Sequence, residues 1–195
     1  MLDNYTVTEC PNCHENLTRI SATGEQQILC TLKNEGGLQE GLDILPLLTE
    51  ETYLRAYPEE RKSQAFLNFC GDGDIEAIVD LLNDEHEDVQ SQIAILLYQD
   101  QIRTMKSGLH VAIQNQKIEV AWLLLLLASS LDPSDFPAEV IRAAEAMGVQ
   151  RQSLDGKADI RTLEDGEGKT AEQGAVAMGG IWDEWVRSGR LRPDV

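Results

Sequence analysis

Residues 107–125, SGLHVAIQNQKIEVAWLLL, constrain the fold more than any other stretch of the chain. Leu109, Ala112 and Ile113 share one helical face, and Asn115-Gln116-Lys117 then interrupts the pattern. Ile118, Ala121, Trp122 and Leu125 restart it at the same spacing but out of phase with the first stripe. A single helix keeps one apolar stripe, so two short helices joined by a tight polar turn are expected here.

The unit recurs, and a recurring hairpin that cannot bury its own apolar face has to pack on its neighbours. Residues 66–82 place Ile75, Ile78, Val79 and Leu82 at helical spacing after a Gly-Asp-Gly-Asp break, whose glycines suit a turn with positive φ. A weaker copy covers 140–149, with Val140, Ala143, Ala144 and Met147 in phase and Gly148 placed as a C-cap. A fourth covers 168–186, broken at Gly179-Gly180, with Ile181, Trp182, Trp185 and Val186 in the second stripe.

These residues resemble the ankyrin repeat, a β-turn followed by two antiparallel helices with a Thr-Pro-Leu-His-x-Ala signature. Ser107-Gly108-Leu109-His110-Val111-Ala112 matches it with Ser for Thr and Gly for Pro, and Ile118-Glu119-Val120 stands at the start of the second helix. Ile75-Glu76-Ala77 is the counterpart in the first copy, and Gly168-Lys169-Thr170-Ala171 matches the turn of the fourth. Gln116 replaces the usual inter-helix glycine, Glu172 replaces the signature Leu, and the third copy has no signature at all. Positions 66 and 109 lie 43 residues apart, against a family period of about 33, so about ten residues are inserted near 84–104.

The resemblance implies an all-α, ankyrin-like stack of helical hairpins over residues 63–190, a surface for protein contacts and no catalysis. His110 would take the place of the signature His, hydrogen-bonding the turn backbone, and Cys70 that of a small buried residue.

Residues 1–62 do not fit the repeat. A capping helix is expected at about 49–57, with Glu50 and Glu51 in its first turn and Pro58 ending it. Leu45, Leu47, Leu48 and Leu54 would cover the exposed flank of the first repeat. Before residue 40 the reading is loop, with a hairpin around Gly24.

Cys10-Pro11-Asn12-Cys13-His14, with Cys30 further on, is the sharpest constellation for chemistry. A Cys-x-x-Cys turn aims two thiolates at one ion, so a structural zinc held by Cys10, Cys13, His14 and Cys30 is one reading. A second Cys-x-x-Cys is missing, because Thr31-Leu32-Lys33 follows Cys30. A redox dithiol and ordinary cysteines are the other two readings, the former without its usual βαβ setting.

Two apparent motifs fail. Residues 164–170, EDGEGKT, end in Gly-Lys-Thr, but a phosphate-binding loop needs a glycine at 163, where Leu stands. Asp72, Asp74 and Glu76 alternate as calcium ligands do, but the loop's sixth position is Ala77 where glycine is required. No Ser-His-Asp or Cys-His set has a supporting motif, and no cofactor beyond the possible zinc is implied.

Charge completes the reading. The chain carries 34 acidic and 16 basic residues, net −18. Residues 1–62, 63–150 and 151–195 carry net charges of −6, −10 and −2. Such a field repels nucleic acid and anionic membranes, which bind through Lys and Arg, and attracts basic proteins. Between 72 and 88 stand Asp72, Asp74, Glu76, Asp80, Asp84, Glu85, Glu87 and Asp88 with no base among them. This is either a docking patch for a basic partner or a solvated face with a flexible insert. Trp182 and Trp185 are candidates for the core, and also for partner contacts, since Trp is enriched in interface hot spots.

No apolar run approaches the roughly 20 residues of a membrane span, and the N-terminus lacks the pattern of a signal peptide. Four cysteines without an export signal suit a reducing compartment. The expectation is a cytoplasmic or nuclear adaptor, chaperone or inhibitor that binds a basic protein. The alternative is an ankyrin subunit that stabilises or regulates an enzyme through apolar contacts.

Overall fold

A computed structural model describes residues 8–10, 12–84, 88–149, 151 and 158–193. The chain divides into two compact units, Met1–Arg61 and Lys62–Val195.

The first unit is built on β-hairpins. Strands β1 (Arg19–Ile20) and β2 (Gln26–Gln27) pair antiparallel around the turn at Gly24, and β3 (Leu29–Asn34) pairs antiparallel with β4 (Gly37–Asp43). Their register shifts between Cys30 and Leu32. Helix α1 (Leu45–Ala56) follows. It begins four residues earlier than the sequence indicated, because Pro46 sits in the first turn, where its missing N–H is not needed. Asp43 joins strand to helix, its Oδ1 accepting from the amides of Ile28 and Leu45. Of the leucines expected to cover a repeat flank, Leu54 is buried and Leu47 is 62% exposed.

These two antiparallel two-stranded sheets overturn the all-α expectation: the protein is mixed α/β. The strands were hard to read because β3 and β4 are exposed along nearly their whole length. An exposed ribbon is held by its ladder of backbone hydrogen bonds and leaves no alternating apolar pattern.

The second unit has no named strand among its described residues. Helices α2 (Arg61–Asp72) and α3 (Ile75–Leu82) are joined through Gly73, whose φ of 83° requires glycine, whereas Gly71 lies inside α2. Asp74 caps α3 by accepting from the amide of Ala77. Helix α4 (Val89–Leu96) lies within the stretch where the sequence places about ten inserted residues. Ile93, Ile95 and Leu96 are buried, and the last two join the main core.

The expected pair of helices at 107–125 is α5 (Gly108–Gln114) and α6 (Ile118–Ala128). Gln116, at the position of the missing glycine, adopts a left-handed φ of 58°. Eight of the residues of α6, from Val120 to Ala128, are buried because α4, α5 and α7 (Ala138–Ala146) all pack against it. Helices α8 (Ala171–Met178) and α9 (Asp183–Arg187) follow, separated by Gly179 and Gly180, both at φ 63°. A capping box between Thr170 and Gln173 starts α8, and α8 packs on α5.

Arg161 is fully buried between these elements. Its guanidinium reaches Asp159 Oδ2 at 2.8 Å, Ser130 Oγ at 2.7 Å and the carbonyl of Arg192 at 2.7 Å. Every charge-bearing donor there has an acceptor, which a buried guanidinium needs.

Candidate functional site

The acidic stretch forms an exposed surface on the α2–α3 pair. Asp72, Asp74, Glu76 and Asp80 are exposed. Asp74 is committed to capping α3, and Asp88 caps α4 by accepting from the amide of Ser91 at 2.8 Å. The Ser91 amide and hydroxyl hold the Asp88 carboxyl below the usual carboxylate range. Asp84 is paired with Lys62 at 2.8 Å, a contact across 22 residues. Glu85 and Glu87 lie outside the described residues. Asp72, Glu76 and Asp80 therefore remain without an ion pair among the described residues. Glu76 and Asp80 stand four residues apart on one helix face, where like charges repel at a cost of about 0.2–0.5 kcal/mol.

Trp182 and Trp185 are 0% and 6% exposed, which removes them from the accessible surface. They pack as core. Trp182 meets Trp185 edge-on with centroids 5.1 Å apart, and Trp185 lies 4.4 Å from Trp122. The guanidinium of Arg190 sits 5.3 Å above the Trp122 ring. Their helical spacing signalled burial, and only their residue type suggested an interface.

At the N-terminus, an antiparallel bridge pairs Glu9 with Asn16, and the amide of Cys10 donates to the carbonyl of Glu15 at 2.9 Å. This small loop brings Cys10 and Cys13 together. The amides of Cys13 and Asn12 donate to the Cys10 sulfur and hold its thiol below the usual range. His14, at φ 59°, closes the turn by donating its amide to the carbonyl of Cys10. Cys30 stands half-buried on β3. Among the described residues no three His, Cys, Asp or Glu side chains gather into a metal-holding group. Cys70 is buried in the core, and burial pushes its thiol up.

Two features were not legible in the sequence as sites. A groove of about 690 Å³ runs between α5, α8 and the turns before them, lined by Arg103, Lys106, His110, Asp165, Gln173 and Met178 among others. His110, one of its lining residues, is buried. The Nδ1 of His110 lies 2.8 Å from Ser107 Oγ and its Nε2 lies 3.0 Å from the carbonyl of Lys169, so one ring ties two successive turns together. Burial lowers the His110 pKa, opposed by the Lys169 carbonyl. The second feature is a cavity of about 270 Å³ between α3, α6 and α7.

Among the described residues no helix is long and apolar enough to cross a membrane. No family model, curated protein or solved structure compared with the chain matches it.

Proposed function

We propose that this chain is a non-enzymatic protein-binding module, an adaptor, chaperone or inhibitor, that engages a basic protein through the acidic surface of α2 and α3. Asp72, Glu76 and Asp80 carry the reading. They are exposed and unpaired among the described residues, and two of them repel each other along one helix face. A cationic partner relieves that repulsion on docking, so the arrangement favours the complex over the free protein. The likeness of residues 107–125 to an ankyrin unit, a protein-binding element, supports the same reading. A reducing compartment, cytoplasmic or nuclear, suits the free thiols, and neither nucleic acid nor membrane suits the charge.

The test is to capture the partner from source cells, identify it by mass spectrometry and measure association with the purified protein. The partner should be basic, and its association should slow as salt rises, since exposed charges are screened beyond about 8 Å at physiological ionic strength. Asp72→Lys, Glu76→Lys and Asp80→Lys together should slow association while leaving the fold intact. Unchanged association of that triple variant at low salt rejects the reading.

A second reading, a subunit that stabilises or regulates an enzyme through apolar contacts, is favoured by Val176, Met178 and Ile181. These three are exposed on α8 and just beyond it. It predicts little salt dependence and loss of binding when Val176 or Ile181 is changed to Asp.

A further inference from the structure

The cavity between α3, α6 and α7 is open to solvent although its walls are apolar. Ile75 comes from α3, Trp122 and Leu126 from α6, and Val140, Ala143 and Met147 from α7. Its origin is a pair of small residues: α7 presents Ala143 and Ala144 to the space, and two methyl groups leave it unfilled. A packed interior tolerates few such voids, and an open apolar one gains most when an apolar group enters it.

Its size limits the occupant. At about 270 Å³ it falls short of the roughly 300–1,000 Å³ clefts that enclose whole ligands. It suits a single large aliphatic or aromatic side chain, the kind of anchor that dominates protein interfaces. Charge limits the occupant further. Glu119 at the start of α6 and Glu139 at the start of α7 also line the cavity, both are exposed, and neither forms an ion pair among the described residues. Two carboxylates beside an apolar hole disfavour fatty acids and other anionic ligands. They favour a cation beside the inserted group.

We infer that this cavity receives one large apolar side chain of a protein partner, with a Lys or Arg adjacent to it in the partner's sequence held by Glu119 and Glu139. The inference rests on the reading of the chain as a binder of a basic protein, and adds an apolar anchor site to it. The acidic surface of α2 and α3 governs encounter, and the cavity governs how long the partner stays.

The experiment uses the full chain with methyl labels and four probes: acetyl-Lys-Trp-Lys-amide, acetyl-Lys-Leu-Lys-amide, acetyl-Lys-Gly-Lys-amide and acetyl-Glu-Trp-Glu-amide. The first two should shift the methyl signals of Leu126, Val140 and Met147 and the indole signal of Trp122, saturating in the range of about 1 mM, as expected of so small a ligand. Ala143→Leu, which fills the space with a good helix former, should weaken that binding about tenfold or more. Glu119→Gln with Glu139→Gln should weaken it about threefold and erase the preference over the acidic peptide. Unchanged signals of Leu124 and Ile113 establish that each variant is folded. Equal shifts with the Lys-Gly-Lys or Glu-Trp-Glu peptide, no saturable shift with the first two, or undiminished binding by Ala143→Leu would each overturn the inference. The triple reversal at Asp72, Glu76 and Asp80 should leave the peptide shifts in place. Shifts that survive while no basic partner is captured therefore support the cavity and reject the module, and a salt-sensitive partner indifferent to Ala143→Leu does the reverse.

Discussion

Ile20 and Leu38 stand on strands of the first unit with 66% and 60% of their surface in solvent, whereas Leu124 and Leu125 on α6 have none. Buried apolar residues of the first unit come down to Ile28, Tyr53 and Leu54 among the described residues, while the main core cluster runs from Phe66 to Leu191, within the second. The β3–β4 ribbon is specified by ladder hydrogen bonds, turn chemistry and Asp43, the helical unit by apolar packing around α6. Local changes should therefore stay local in one unit and spread through the other.

The largest effect should come from Arg161→Ala. Removing one partner of a buried ion pair costs about 3–5 kcal/mol. Here it would also strand the Arg192 carbonyl and leave the half-buried Asp159 with neutral donors alone, the Ser130 amide and hydroxyl and the backbone amide of residue 161. Urea unfolding should show the loss in the helical unit, and backbone signals of β3 and β4 should not move. Leu124→Ala should cost about 2–5 kcal/mol by opening a cavity, against about 0.5 kcal/mol or less for Leu38→Ala on the exposed ribbon. Comparable costs at the two positions would break the contrast. Gly37, at φ 124°, opens β4 where a side chain is strained. Gly37→Ala should cost about 1–3 kcal/mol and reduce hydrogen-exchange protection over 29–43 alone.

The smallest effect is a pH dependence confined to the helical unit. Burial holds the folded-state pKa of His110 below its ordinary 6.5. The unfolded chain thus binds the proton first, and stability is full above about pH 6.5. It declines as pH falls from there towards the folded-state pKa. His110→Gln should flatten that decline in urea titrations. A decline that persists unchanged in the variant would assign it to another group.

How much of this was legible depended on how local its cause is. The α5–α6 turn was readable because both apolar stripes and the polar break lie within 107–125. Gly179-Gly180 marked its turn for the same reason. The β3–β4 ribbon was missed because its residues face solvent on both sides, so no periodic signal exists to read. Helix α4 is hard to place from the sequence because its apolar residues find their place against α6, an element well beyond it in the chain. In the acidic stretch, composition announced the charge, but not its division between caps, a pair and free carboxylates. The pairing of Asp84 with Lys62 depends on how α2 and α3 are arranged, which residue types do not declare. The cavity was invisible for the same reason, since α7 supplies its alanines and two other helices supply its walls.

The Arg161 clamp also bears on how the protein is made. The carbonyl that receives its guanidinium belongs to a residue 31 positions further along the chain. At a usual elongation rate that interval takes about two to six seconds. During it a nascent chain holds the guanidinium without that acceptor. The helices before it can condense as they emerge and the guanidinium can pair with Asp159 and Ser130, but its Nη1 meets the Arg192 carbonyl only after that residue has left the ribosome. The Arg161 clamp is thus a late-closing contact, and a stall before Arg192 would leave its guanidinium one acceptor short.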